Sequence, residues 1–203
     1  MAFPTDPPMP DLPGLVAARI CHDLISPIGA IGNGVELLSM AGPATGPEAQ
    51  LIADSAAQAS ARVRFLRLAF GSAGSEARVG RSEVAGLLAE VAQGGRLAFD
   101  WQAGAEAGRA EVRRALLAAM CIEHALPAGG TIVIAQAARG WRVTGTGRRL
   151  RIETALWDWL AGSAPAPAIG AGQVQFALLK ADARAAGLRL AVEPGEGSVA
   201  IGF

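Results

Sequence analysis

The chain of 203 residues carries 18 basic and 18 acidic side chains, and this balance argues against general binding to nucleic acid or to an anionic membrane. Its two cysteines, Cys21 and Cys121, are too few and too far apart for a disulfide scaffold or a CxxC metal site, so reduced thiols in the cytosol are the simplest interpretation. No signal peptide opens the chain and no apolar run reaches membrane-spanning length, so we expect a cytoplasmic protein that binds neither nucleic acid nor membrane.

The first predicted elements form a helical hairpin. Residues 1–10 hold four prolines and are expected to be a disordered lead-in. Helices are predicted over 12–40 and 48–69, with a Gly- and Pro-rich turn between them. Each has an apolar stripe: Ala17, Ile20, Leu24, Ile28, Ile31, Val35 and Leu38 in the first, and Ile52, Ala56, Ala59, Val63, Leu66 and Phe70 in the second. Because one hairpin cannot bury two stripes, residues 11–73 are predicted to pair with a second copy in a four-helix bundle.

After a linker predicted at 71–75, the pattern changes to mixed helices and strands over residues 78–203. Helices are predicted at 82–92, 108–125, 154–160 and 174–186. Strands are predicted near Arg78 and at 96–101, 131–136, 141–145, 188–193 and 198–203, the last two joined by a turn at 194–197; the segment 149–152 is ambiguous. The fold class predicted from the whole chain is α+β.

His22 is the first candidate for chemistry. On a helix it lies about 160° around the axis from Leu24 and the apolar stripe, so it is expected to face solvent. Ser26, Gly29 and Gly32 leave the same side open for another protein, while Pro27 should bend the helix. Many exposed histidines have no function, and geometry alone supports the two interpretations equally.

The segment His22-Asp23-Leu24-Ile25-Ser26-Pro27 resembles the phosphorylated-histidine motif H-[ED]-L-x-[ST]-P of sensor histidine kinases at every specified position. The wider stretch 19–38 resembles the bacterial histidine phosphotransferase family ChpT, whose members look like kinases with a decayed ATP-binding half. The resemblance implies a dimeric four-helix bundle formed by the hairpin, followed by an α/β sandwich like a degenerate kinase ATPase domain.

The resemblance implies a phosphohistidine at His22, and a neutral imidazole is a suitable nucleophile for that step. Asp23 could accept a hydrogen bond from the other ring nitrogen and fix the tautomer, with a solvated surface charge as the alternative. Ser26 could bond a phosphoryl oxygen; back-bonding to a helix carbonyl beside Pro27 is an equally supported alternative.

Partner contacts are predicted on the exposed side of the first helix and on one residue of the second: Arg19, Ile25, Ile28, Gly29, Asn33, Glu36 and Arg67. Ile28 is expected to be shared with the core. The hairpin geometry places His22 level with about Leu66, near Arg62, Arg64 and Arg67, which could offset phosphate charge or contact an acidic partner. For Arg62 and Arg64 a solvated, arginine-biased face is the favoured interpretation.

The resemblance to the kinase ATP-binding fold covers about 82–203, but its chemical positions differ. Leu117 and Cys121 stand where the kinases have asparagines that serve Mg²⁺ and phosphate, and Val143 replaces the aspartate that reads adenine. Gly145 and Gly147 remain, whereas the glycine-rich lid is absent from 171–176. We therefore expect no ATP chemistry, no cofactor and no metal of the chain's own. His124 is expected to be structural, with Glu123 as its polar neighbour.

These observations predict a homodimeric phosphotransferase of a bacterial phosphorelay. The phosphoryl group would pass from the receiver aspartate of a hybrid histidine kinase to His22, and then to a response regulator. Each receiver would bring its own Mg²⁺, as the resemblance implies. Two alternatives remain open at this point: a dimeric adaptor that binds receivers without transfer, and an ATP-dependent histidine kinase.

Overall fold

The computed structural model describes residues 11–41, 46–71, 77–137 and 140–203, of which 39–41 are described by their backbone alone. The predicted lead-in, interhelical turn and linker lie wholly or largely outside these ranges. The helices are α1 (Leu12–Ala41), α2 (Pro47–Phe70), α3 (Arg81–Ala92), α4 (Arg109–His124), α5 (Thr154–Ala161) and α6 (Val174–Ala185), with a 3-10 turn at Ala171–Gln173. The strands are β1 (Arg78–Gly80), β2 (Leu97–Gln102), β3 (Glu106–Gly108), β4 (Gly130–Ala137), β5 (Gly140–Thr146), β6 (Ala191–Gly195) and β7 (Ser198–Gly202).

The α+β class predicted from the sequence is confirmed. The main sheet has the strand order β2-β4-β5-β7-β6, in which β2 and β4 are parallel and the other neighbours antiparallel. Its inner face carries an apolar row that crosses four strands at Trp101, Ile134, Val143 and Ile201. Helix α4 packs on this face because nearly all of its central residues are apolar and buried.

The sequence patterns predicted six helices and six of the seven strands of the described residues to within a few residues, with the segment 149–152 in no helix or strand. They missed β3 and the 3-10 turn at Ala171–Gln173. Strand β3 has only three residues and pairs with β1 in a separate two-stranded sheet. Such a short element lacks room for the alternating pattern that identifies a strand.

The C-terminal part of α2 packs into the core of the sheet region, which comprises the helices and strands of residues 78–203. Phe65, Leu66 and Ala69 are each at most 2% exposed and form one apolar cluster with residues of α3 and α4. The prediction that the whole α2 stripe faces a bundle is therefore wrong at Leu66 and Phe70, which pack in this core. The hairpin is fixed to the rest of the chain by a continuous core.

On another side of the hairpin, the apolar surface is open in the single chain. Ile28 is 57% exposed, Val35 54% and Val63 46%. In the single chain α2 covers only one side of α1 and Ile28 is exposed, so a place for Ile28 in the core of a bundle with a second copy stays a prediction. Ile28, Val35 and Val63 thus form an apolar strip along both helices, and no described residue packs over it.

Gly34 is the place where α1 and α2 approach closely. A Cβ added there would lie 2.5 Å from Ile52 Cγ1, whereas a Cβ added at Gly29 or Gly32 would have nothing within 4 Å. The glycines of α1 thus differ in environment. Gly34 permits helix contact, and the other two leave an open surface beside His22.

Helix α1 is also long and apolar enough over Leu12–Leu38, with a mean hydropathy of 1.3, to span a membrane on length and composition alone. The expectation that no apolar run reaches that length is wrong in this respect. The same test is passed by core helices of soluble proteins. Here α1 packs along α2, and its Asp23 forms ion pairs with arginines.

Candidate functional site

His22 lies on α1 with its side chain 83% exposed, as the helical periodicity predicted. Its Nδ1 atom is 3.3 Å from Oδ1 of Asp23, and no other described residue forms a hydrogen bond with the ring. The second ring nitrogen, Nε2, therefore remains available for attack on an incoming group. A histidine with one nitrogen oriented by a carboxylate and the other exposed is suited to nucleophilic chemistry.

Asp23 lies beneath His22 and is held by two arginines. Arg19 Nε lies 3.0 Å from each carboxylate oxygen, and Arg62 donates to Oδ2 from Nε at 3.1 Å and Nη2 at 2.6 Å. The Asp23 side chain is only 7% exposed. The alternative interpretation of Asp23 as a solvated surface charge is therefore wrong.

The charge of Asp23 is stabilised in this environment. Burial alone would raise the pKa of the carboxyl group, but the charges of Arg62 and Arg19 and their hydrogen bonds outweigh burial and hold the pKa below its usual range. Asp23 is therefore ionised at neutral pH and can act only as a hydrogen-bond acceptor toward His22.

Arg62 corrects the expectation of a solvated arginine face, whereas Arg64 lies at the surface as expected. Arg62 is 18% exposed, pairs with Asp23 and lies over the ring of Phe65. Arg64 pairs with Glu90 of α3. The sequence placed His22 level with about Leu66. The contacts of Asp23 with Arg62 and of Gly34 with Ile52 place that level two to three residues earlier on α2.

A cleft of about 320 Å³ opens beside His22, between the hairpin and the sheet region. The hairpin side is lined by His22, Asp23, Ser26, Pro27, Gln58 and Arg62, and the other side by Glu90, Val91, Gln93 and Glu123. Ser26 is exposed at this cleft and its hydroxyl makes no hydrogen bond to a described residue. The hydroxyl can therefore reach a group that enters the cleft.

The predicted contact residues do not all share the environment expected for them. Ile25, Ile28, Gly29 and Asn33 are exposed on α1, and Glu36 and Arg67 are exposed as well. Arg67 lies more than one turn beyond Arg62 toward the end of α2, away from the level of His22. Arg19 is only 13% exposed and is engaged within the chain, which corrects its assignment to an open docking surface.

Sequence reasoning misses the roles of two residues at the site. It favours solvent for Arg62, because apolar spacing does not fix the register of two helices. It does not single out Gln175, which accepts a hydrogen bond from Arg19, since one glutamine between apolar neighbours gives no signal of its contacts.

Comparison with known proteins decides the family. Residues 81–198 match the family model "Histidine phosphotransferase C-terminal domain". The protein phosphotransferase ChpT of Brucella abortus (strain 2308) is 34% identical over 201 residues, which cover 95% of this chain and 94% of that protein. This chain belongs to the histidine phosphotransferase family. A solved structure described as a bacterial phosphotransferase is 30% identical and superposes with a TM-score of 0.79 over 99% of both chains.

In this histidine phosphotransferase, the positions that correspond to the nucleotide-binding residues of the kinases lie in the core. Leu117, Cys121 and Val143 are all 0% exposed. A Cβ at Gly145 would lie 2.1 Å from Ile122 Cγ2. Helix α4 therefore packs directly on β5, and this glycine has a packing role. Burial raises the pKa of the Cys121 thiol well above its usual value, although the charge of Arg19 opposes the shift.

The other histidine of the phosphotransferase, His124, makes contacts within the chain, in keeping with the structural role expected for it. His124 Nε2 is 3.1 Å from Glu153 Oε1, and its ring meets Phe176 edge-on at 5.6 Å. Its polar partner is thus Glu153, which corrects the expectation of Glu123. Within the described ranges, the structure has no group of three or more His, Cys, Asp or Glu side chains that could hold a metal ion.

Proposed function

We propose that this phosphotransferase carries a phosphoryl group on His22, receiving it from the aspartyl phosphate of one receiver domain and giving it to the aspartate of another. The observation that carries the proposal is the geometry of His22, whose ring is 83% exposed while Nδ1 faces an ionised carboxylate. Membership of the histidine phosphotransferase family and the 34% identity to ChpT of Brucella abortus support it.

The chemistry needs little from the carrier. The lone pair of His22 Nε2 attacks phosphorus, the N–P bond forms, and the P–O bond of the aspartyl phosphate breaks with its electron pair leaving on the receiver carboxylate. The ring then carries positive charge with its proton still on Nδ1, where Oδ1 of Asp23 accepts the hydrogen bond and offsets that charge. Exposure lets both receivers reach the same nitrogen in line.

We propose that ATP is not used and that the catalytic Mg²⁺ belongs to the receiver. The proposal is supported by the interior positions of Leu117, Cys121 and Val143, which offer neither a metal ligand nor a carboxylate for adenine. Leu and Val side chains cannot coordinate Mg²⁺, and a buried thiol whose pKa is raised remains protonated.

We further propose that the protein acts as a homodimer in the cytoplasm. Its phosphoryl donor would be a hybrid histidine kinase and its acceptor a response regulator. The open apolar strip at Ile28, Val35 and Val63 supports a four-helix bundle with a second copy, since single-chain packing leaves it exposed. The receivers would dock on the neighbouring side of α1, where Ile25, Gly29 and Asn33 follow His22.

The decisive experiment incubates the purified chain with a ³²P-labelled phospho-receiver and separately with labelled Mg·ATP. We expect acid-labile label on the wild type from the receiver and none from ATP. The variant H22A should bind the receiver but acquire no label. A matched control, H124A, removes the other histidine and should still be labelled if it folds, as judged by circular dichroism.

Each contrary result identifies another function. Label from ATP alone would support a histidine kinase. Receiver binding without label on the wild type would support a non-enzymatic adaptor. Equal labelling of H22A and wild type would show that another residue accepts the phosphoryl group.

A further inference from the structure

Gln175 is a polar side chain in an apolar environment. It lies in the first turn of α6, is 1% exposed, and is flanked by the buried residues Val174 and Phe176. Burial of an amide costs free energy unless its hydrogen bonds are made, so an apolar side chain would serve packing equally well. The position of Gln175 is explained by its two polar contacts.

Both ends of the Gln175 amide take part in one hydrogen-bonded group. Nε2 donates to the carbonyl oxygen of Gly172 at 3.0 Å, and Oε1 accepts from Arg19 Nη1 at 3.3 Å. The same Arg19 Nη1 lies 3.1 Å from the Gly172 oxygen. Two acceptors on the sheet region thus hold one edge of the guanidinium that reaches across from α1.

The opposite side of that guanidinium holds Asp23. Arg19 Nε lies 3.0 Å from both carboxylate oxygens, and Asp23 Oδ1 lies 3.3 Å from His22 Nδ1. Because a guanidinium is planar, fixing its Nη1 edge also fixes the direction of its Nε–H. A continuous chain of contacts therefore runs from α6, which is more than 150 residues away in the sequence, to the ring of His22.

We infer that Gln175 is a positioning residue for phosphoryl transfer, acting through Arg19 and Asp23 to orient the ring of His22. The inference rests on the proposed function. It gives residues 78–203 an indirect role in the chemistry, through Arg19 and Asp23, that needs no nucleotide site of the kinase type. The contact with Gly172, the middle residue of the 3-10 turn, places this role where the kinase fold would carry its lid.

The test compares Q175M, which keeps the volume and loses both hydrogen bonds, with the control Q136M on β4. Gln136 accepts one hydrogen bond from Gly104 and lies far from α1. We expect Q175M to transfer phosphoryl about 10-fold more slowly at saturating phospho-receiver, with an unchanged half-saturating concentration. In a D23N background the further loss from Q175M should disappear, because the intermediate contact is already altered.

A second readout does not depend on transfer. The ¹⁵N NMR spectrum of the unphosphorylated protein reports which nitrogen of His22 carries the proton. Q175M should shift this spectrum toward a mixture of tautomers, whereas Q136M should not. If Q175M does not fold, R19K replaces it, because one ammonium group cannot bond Asp23 and the Gly172–Gln175 pair in the same planar geometry.

The outcomes distinguish failure of the proposed function of His22 from failure of the positioning role of Gln175. Absence of label on the wild type would remove the proposed function, while a tautomer change in Q175M would still support the positioning role. A wild type that is labelled, together with Q175M that matches Q136M in rate and spectrum, would overturn the inference alone. An equal rate loss from Q175M with and without D23N would also overturn it, since the effect would not pass through Asp23.

Discussion

Arg62 donates two hydrogen bonds to Oδ2 of Asp23, at 3.1 and 2.6 Å, and this leaves Oδ1 toward the Nδ1 atom of His22 at 3.3 Å. The carboxylate is thus oriented from α2, whereas the histidine it serves is on α1. Arg19 of α1 bonds the same carboxylate, so both helices of the hairpin contribute to holding Asp23 in this direction.

The first prediction concerns the charge of Asp23. In D23N the side chain stays similar in shape, but Arg19 and Arg62 lose their counter-charge and His22 loses an ionic acceptor. We expect phosphoryl transfer to fall by about 10- to 100-fold, the range for loss of a charged hydrogen bond, and the free energy of unfolding to fall by about 1–3 kcal/mol. Labelling kinetics and urea unfolding measure the two effects. The control E193Q, in the exposed pair with Arg142, should change neither; wild-type transfer by D23N would refute the role given to Asp23.

The second prediction is the pH dependence of stability. The pKa of Asp23 is lowered in the folded chain, so its ionised form stabilises the native state above the unfolded value of about 3.9. That contribution should be constant from about pH 8 to 5 and decline as the pH falls below about 4 toward the lower folded value. The contribution of Asp23 is measured as the difference between the free energies of urea unfolding of wild type and D23N at each pH in this range. A difference that grows as the pH falls would have the wrong sign for this ion pair.

The sequence predicted much of the fold because helical periodicity and turn residues are local signals. It also placed His22 on an exposed face, since the position of one residue around a helix follows from its neighbours. The register between α1 and α2 could not be obtained in the same way. It depends on side chains that interlock across the hairpin, such as Gly34 against Ile52, and spacing within one helix does not contain that information.

The network around the site was also beyond sequence reasoning. Arg62 and Gln175 lie 40 and 153 positions from His22 in the chain, and only folding brings them to Asp23 and Arg19. In a sequence rich in arginine, nothing in the sequence shows which arginine pairs with a buried carboxylate. The burial of Leu66 within the same chain was missed for a related reason, because an apolar stripe does not say whether a second copy or the same chain covers it.

The third prediction uses two glycines of α1. Alanine favours a helix over glycine by about 0.8–1.0 kcal/mol, so G32A, at an open position, should raise the free energy of unfolding by up to about that amount. At Gly34 a Cβ would overlap Ile52, and G34A should instead lower stability by about 1–2 kcal/mol because the helices must separate. Chemical unfolding of both variants tests the difference, and equal shifts would contradict the close contact at Gly34.

The fourth prediction concerns receiver docking. Ile25 is 69% exposed and follows His22 by about one helical turn, so a receiver placed over the histidine would cover it. We expect I25E to weaken receiver binding by about 10- to 100-fold, the range of an apolar anchor at an interface. Isothermal titration calorimetry measures the affinity. The control L188E alters an exposed apolar residue of the sheet region and should bind normally; equal affinity for I25E would place the interface elsewhere.

The fifth prediction addresses the dimer. Val35 lies seven residues from Ile28 on the same side of α1, and both are more than half exposed in the single chain. Leu37 is 48% exposed on the same helix but lies about 160° around the axis from Val35. A charge introduced by V35E would be buried in the proposed four-helix bundle, so this variant should have the monomer mass by light scattering. L37E should keep the dimer mass at the same concentration. Dissociation by L37E with a stable V35E dimer would place the dimer interface on the opposite side of α1, where it would compete with receivers for His22.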